Sequence, residues 1–155
     1  MYTKLDINEI VTKHENRIYR TAIAITGNKS DAEDIMQDVF LTLIQKSPSF
    51  ESDEHETAWI IRVTVNRCKS LLRSSWYKKS EPLQDIYPVY DSSQSDLIHT
   101  VNTLPKKYKI VIYLHYYEGY STKEIAAITK QKESTVRSQL ARARKLLKAY
   151  LEEDN

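Results

Sequence analysis

The stretch STKEIAAITKQKESTVRSQLARAR, residues 121–144, contains two helices and the turn between them. Ser121-Thr122-Lys123-Glu124 has the capping-box form, in which the serine and glutamate side chains each satisfy a backbone N–H left free at a helix start. Ile125, Ala126 and Ile128 then fall on one face, and Ala126 is small where two helices must approach closely. The residues Lys130 to Glu133 read as a turn. The next helix buries Val136, Leu140, Ala143 and Leu147, which leaves Ser134, Arg137, Ser138, Ala141, Arg142 and Lys145 to face outward. Slim hydroxyl residues near the helix start, followed by arginines, suit a helix that enters the major groove, because arginine donates two bonds to guanine or contacts phosphate.

Upstream, KKYKIVIYLHYYEG (106–119) is apolar on most sides through Tyr108, Ile110, Val111, Ile112, Leu114 and Tyr117, as the centre of a small bundle would be. Pro105 suits its first helical position, where a missing N–H costs nothing, and Gly119 closes it. A shorter helix around Leu97, Ile98, Val101 and Leu104 completes a four-helix unit. Residues 80–96, SEPLQDIYPVYDSSQSD, carry two prolines, several serines and no basic residue, and read as a linker.

The N-terminal part is helical too. Ile7, Ile10, Val11, Ile18, Ala22 and Ile25 form a stripe from about Asp6 to Ile25, ended by Gly27. Ser30-Asp31-Ala32-Glu33 predicts a second capping box. It opens a helix with Ile35, Met36, Val39, Phe40, Leu43 and Ile44 on its apolar face. Asp31, Asp34, Gln37, Asp38, Thr42 and Gln45 lie opposite, with Leu41 among them. Ser47-Pro48 breaks that helix. A third one, from about Asp53 to Trp76, places Ala58, Ile61, Val65, Cys68 and Leu72 inward and Trp59, Arg62, Asn66, Lys69 and Arg73 on another face. Cations interleaved with aromatic rings suit a single nucleic-acid strand, since bases stack on rings while cations follow phosphates.

The fold expected is therefore all-α: two small helical domains joined by a flexible linker, the C-terminal one a helix-turn-helix four-helix domain. Composition agrees, with 41% hydrophobic and 28% charged residues in 155. Net charge is only +2, but it runs in blocks: −5 over residues 1–57, +6 over 58–80, −4 over 81–104 and +5 over 105–155. Two basic blocks separated by acidic ones predict two polyanion sites and an acidic region free for another partner. No apolar run approaches the ~20 residues of a membrane helix, so a cytoplasmic protein without membrane insertion is expected. One cysteine excludes an internal disulfide, and neither a metal site nor a cofactor is indicated. The four histidines are scattered without nucleophile and base spacing, which argues against an enzyme.

On these residues the chain resembles a bacterial RNA polymerase sigma factor of the extracytoplasmic-function (ECF) class over nearly its whole length. DAEDIMQDVFLTLIQ (31–45) is similar to the helix that docks on the clamp helices of the polymerase β′ subunit. TAWIIRVTVNRCKSLLR (57–73) resembles the promoter-melting and −10-reading helix. Residues 104–128 with STVRSQLARARKLL (134–147) resemble the domain that reads the −35 element. The resemblance implies sigma domain two at 1–79, a linker at 80–95 and sigma domain four at 96–155. It implies core-polymerase binding by Asp31, Glu33, Asp34, Gln37 and Asp38. It implies −10 contacts from Phe50, Trp59, Arg62, Asn66, Lys69 and Arg73, Phe50 opening a loop through Glu56 that receives a flipped base. Ser134, Thr135, Arg137, Ser138, Arg142 and Lys145 would meet −35 DNA. Implied partners are the polymerase core (β′ clamp helices and β flap), promoter DNA and an anti-sigma factor. The rival reading is a conventional helix-turn-helix regulator that binds an operator as a dimer. Lys130 stands where the family's turn usually holds glycine, and Gln131 and Glu133 replace residues that are commonly apolar, so an altered turn is expected.

Overall fold

The computed structural model describes residues 7–73, 101 and 103–153, and among them it is entirely helical. The chain divides into two compact units, Met1–Ile86 and Tyr87–Asn155. The linker expected at 80–95, Trp76 and the short helix expected around residues 97–104, apart from Val101, Thr103 and Leu104, lie outside the described residues.

In the first unit α1 (Ile7–Thr26), α2 (Lys29–Lys46) and α3 (Asp53–Arg73) pack against one another. The apolar stripes meet as expected: Ile18, Ala22 and Ile25 of α1, Ile35, Val39 and Leu43 of α2, and Ile61, Val65, Cys68 and Leu72 of α3 are all buried. Each large aliphatic side chain so buried contributes about 1.5–3 kcal/mol. Gly27 ends α1 at φ 68°, and its N–H donates to the Ile23 carbonyl at 2.8 Å. The cap of α2 differs from the expected box. Asn28, extended at φ −141° and ψ 123°, accepts from the Asp31 N–H at 2.9 Å, so the helix starts at Lys29 and Ser30 is already inside it. Asparagine serves as well as serine there.

Several polar residues lie deeper than alternation allows. The hydroxyls of Thr26, Thr42, Thr64 and Thr129 each donate to the carbonyl four residues earlier at 2.7–2.8 Å, which satisfies them locally and lets them enter the core. Thr42, assigned to the exposed face of α2, is thus buried and also accepts from Arg67 Nη2 of α3 at 3.0 Å. Ile44, assigned to the apolar face, is instead 48% exposed.

The second unit holds α4 (Lys106–Ile112), a π-helical turn (Tyr113–Tyr117) that continues it, α5 (Thr122–Thr129) and α6 (Glu133–Glu153). Pro105 precedes α4 instead of opening it. At ψ 147° it is outside the helix, and its carbonyl accepts from the N–H groups of Tyr108 and Lys109. Tyr108, Ile110, Val111, Ile112 and Leu114 are buried, as expected of a central helix, whereas Tyr117 is 46% exposed. Lys109 is buried with them, and loss of water, with Lys106 nearby, pushes its ammonium down to about 8. Gly119, at φ 77°, closes the segment.

Candidate protein and nucleic-acid interfaces

Three exposed helix faces carry the residues singled out from the sequence. On α2, 100° per residue places Glu33, Asp34, Gln37, Asp38, Leu41, Ile44 and Gln45 within an arc of roughly 140°, and all seven are exposed. Asp31 borders this arc half-buried, and its carboxyl is raised by burial first and by Asp34 second. The result is an acidic face whose C-terminal half is apolar, with Leu41 at 53% and Ile44 at 48% exposure. Leu41 thus belongs to a patch, not to an isolated position.

On α3, Trp59, Arg62, Asn66, Lys69 and Arg73 fall within an arc of roughly 80°. Arg62 and Arg73 are exposed, while Trp59, Asn66 and Lys69 are half-buried. Trp59 packs on a cluster of Ile10, Leu43 and Phe50, so its ring is in part a core group. Phe50 departs from the expectation. Only 2% exposed, it meets His55 and Trp59 edge-on with ring centroids 5.5 and 5.7 Å away. Its ring anchors the loop before α3 and offers no face to a base.

That loop has a second anchor that spacing did not reveal. Glu56, 1% exposed, takes His14 Nε2–H at 2.6 Å and Lys13 Nζ at 3.2 Å on one oxygen, and Lys13 also meets Asp53 at 3.0 Å. A carboxylate only accepts, so Nε2 carries the proton. His14 Nδ1 is buried and without a hydrogen-bond partner among the described residues. The signal was present: His14 and Glu56 sit on the buried stripes of α1 and α3 as polar residues at apolar positions.

On α6, Ser134, Thr135, Arg137, Ser138, Ala141, Arg142 and Lys145 are exposed, while Val136, Leu140 and Ala143 are buried. The capping box of α5 is formed on both sides: Glu124 N–H donates to Ser121 Oγ at 3.1 Å and Ser121 N–H to Glu124 Oε1 at 2.9 Å. Lys130 adopts φ 57° and ψ 45°, so the turn keeps the left-handed geometry that glycine would hold without strain. Polar bonds brace it. Gln131 Nε2 donates to Gln139 Oε1 at 3.2 Å and to Thr129 Oγ1 at 2.9 Å, while Gln139 Nε2 donates back to Gln131 Oε1 at 2.9 Å. Thr122 Oγ1 donates to Glu133 Oε2 at 2.8 Å, joining the starts of α5 and α6. The two residues that departed from an apolar turn are thus the ones that hold it. Near the middle of α6, Arg144 donates to the Tyr116 hydroxyl at 2.6 Å from the π-helical turn.

Comparison with known proteins agrees with this division. The Sigma-70 region 2 model matches residues 10–77 and the Sigma-70 region 4 model residues 94–147. ECF RNA polymerase sigma factor SigM of Mycobacterium tuberculosis is 30% identical, over 93% of this chain and 76% of its own length. The chain belongs to the ECF RNA polymerase sigma factors. ECF sigma factor SigE of Mycolicibacterium smegmatis is 29% identical over 93% of this chain, which spans 61% of SigE's length. In fold, this sigma factor is similar to RpoE of Bartonella quintana, solved with the anti-sigma factor NepR, at a TM-score of 0.78 and 22% identity, covering 97% of this chain and 99% of that one. The dimeric regulator considered from the sequence has no use for a region 2 unit.

Proposed function

We propose that this ECF sigma factor is a promoter-specificity subunit that acts by binding and not by turnover, in the cytoplasm where polymerase works. Residues 1–79 act as sigma domain two, 96–155 as sigma domain four and 80–95 as their linker. The α2 face of Glu33, Asp34, Gln37 and Asp38, bordered by Asp31, docks on the β′ clamp helices, and the second unit meets the β flap. Arg62, Asn66, Lys69, Arg73 and the accessible part of Trp59 hold the −10 strand. Ser134, Thr135, Arg137, Ser138, Arg142 and Lys145 meet the −35 duplex.

The observation that carries this reading is the segregation of charge: an exposed carboxylate face on α2, and separate basic faces on α3 and α6, in a chain of this family. Opposite signs on different helices allow one molecule to hold a protein and DNA at once. Opening the −10 region takes a base out of the stack at a cost of a few kcal/mol, offset by contacts of the extruded strand with rings and cations. An anti-sigma factor is a natural regulator, as RpoE was solved with NepR and CnrH with the cytosolic domain of CnrY.

Run-off transcription and pull-down with purified core polymerase test the reading. Asp34→Arg with Asp38→Arg is expected to abolish core association. Arg137→Ala with Arg142→Ala is expected to preserve association and lower promoter selectivity. Failure of the wild-type chain to bind core at low salt, without inhibitor, overturns the proposal.

A further inference from the structure

We infer that Glu133 is a positioning residue that sets the base selectivity of Arg137; the inference rests on the assignment of α6 to the −35 duplex. Glu133 is the first residue of α6, and one of its oxygens is fixed by the Thr122 hydroxyl at 2.8 Å. Its other oxygen lies 3.9 Å from Arg137 Nη2, one helical turn further on. This spacing is too long for a hydrogen bond but close enough for attraction. The guanidinium is thus drawn to one side while its N–H donors remain available for a base. Arg137 is 65% exposed, and an arginine on an open surface otherwise spreads over many rotamers. Bidentate recognition of guanine O6 and N7 requires a planar fork held at one angle.

Charge makes the role separable from simple affinity. A carboxylate at the start of a DNA-facing helix repels phosphate, so Glu133 weakens attraction to any DNA. A carboxylate also favours a helix N-terminus, but that alone does not require a bond to Thr122 on another helix. The two halves of the network, Thr122 to Glu133 and Glu133 to Arg137, together tie the reading side chain to α5.

The test measures binding of reconstituted holoenzyme to promoter duplexes carrying every single −35 substitution, over a range of salt. Arg137→Ala is expected to erase preference at one base pair. Glu133→Ala is expected to cut preference at that same base pair by about fivefold, within the range of one bidentate contact, and to raise affinity for non-promoter DNA by about twofold. Thr122→Val acts on the preference in the same direction and less strongly, and Glu133→Ala adds no further loss of preference on top of Arg137→Ala. Unchanged preference in Glu133→Ala overturns the inference, as does a loss at a different base pair, which denotes direct readout by the carboxylate. Weaker binding to all sequences together with a lower melting temperature also overturns it, since that denotes a role in folding alone. A wild-type holoenzyme with no −35 preference instead refutes the assignment of α6, and with it this role.

Discussion

The two units fasten their helices by opposite means. In the first, a carboxylate and an imidazole, both almost fully buried, join α1 to α3 beneath the loop anchored by Phe50. In the second, the turn between α5 and α6 is held near the surface by a pair of neutral amides and by two carboxylates, Glu133 on the Thr122 hydroxyl and Glu124 in the capping box. Removing one partner of a buried ionisable pair strands the other in a dry core, whereas a bond near water is replaced more easily. The first unit should therefore respond to tie mutations abruptly, and the second gradually.

The largest effect is expected from Glu56→Ala, which leaves His14 without its partner and should cost about 3–5 kcal/mol. Both tryptophans, Trp59 and Trp76, belong to the first unit, so their fluorescence during urea unfolding follows that unit specifically. Glu56→Gln, which keeps a hydrogen-bonding oxygen, should lose much less. Equal losses would show that the pair acts by packing only.

Lys109 challenges the contrast, because it is a buried cation in the unit whose other charged ties lie near the surface. Lys109→Met should stabilise the second unit at pH 7 by about 1–3 kcal/mol. The sign follows from the lowered folded value of about 8 against an ordinary 10.5. Between these values the unfolded chain binds more protons, so wild-type stability rises with pH. The advantage of methionine is thus full below about pH 8 and fades by about 10.5. Hydrogen exchange of α6 amides at several pH values measures it.

Gln139→Ala should cost the second unit about 1–2 kcal/mol by leaving the Gln131 amide half-satisfied. A loss as large as that of Glu56→Ala would erase the contrast. The smallest effect is expected from Lys130→Gly. Relief of left-handed strain, about 1–2 kcal/mol, is partly cancelled by the greater freedom of glycine in the unfolded chain, which leaves a gain of about 0.5–1 kcal/mol. Thermal melting detects it, and a loss instead would show that the lysine side chain stabilises the turn.

Periodic apolar positions were legible in the sequence wherever burial alone decides. Ile10, Ile18, Ala22 and Ile25 of α1, Ile61, Val65, Cys68 and Leu72 of α3, the inward residues of α5 and the stops at Gly27 and Gly119 stand where spacing put them, while Ile7, Val11 and Ala58 are only half-buried. Local hydrogen-bond competition was less legible. Asn28 and Ser30 are both good caps, and only the chain path chooses between them. Thr42 enters the core because its own helix satisfies its hydroxyl, and Ile44 is turned out where an acidic arc ends. Of the interface residues, those on regular helix faces could be placed by their angle. Phe50 could not, because a loop has no period and its ring is drawn into the apolar cluster.

The π-helical turn at Tyr113–Tyr117 has a consequence for numbering. Its wider ring, with Glu118 N–H reaching back to the Tyr113 carbonyl, stores one surplus residue in the last turn of the rod. A relative with an ordinary helix here would be one residue shorter between Pro105 and Gly119 and still present the same pair of helices, α5 and α6. Its gap against this chain belongs in the last helical turn, at Tyr116 and Tyr117, and not in the loop that follows. Excising one of those tyrosines should shorten the rod and leave the fold of α5 and α6 intact.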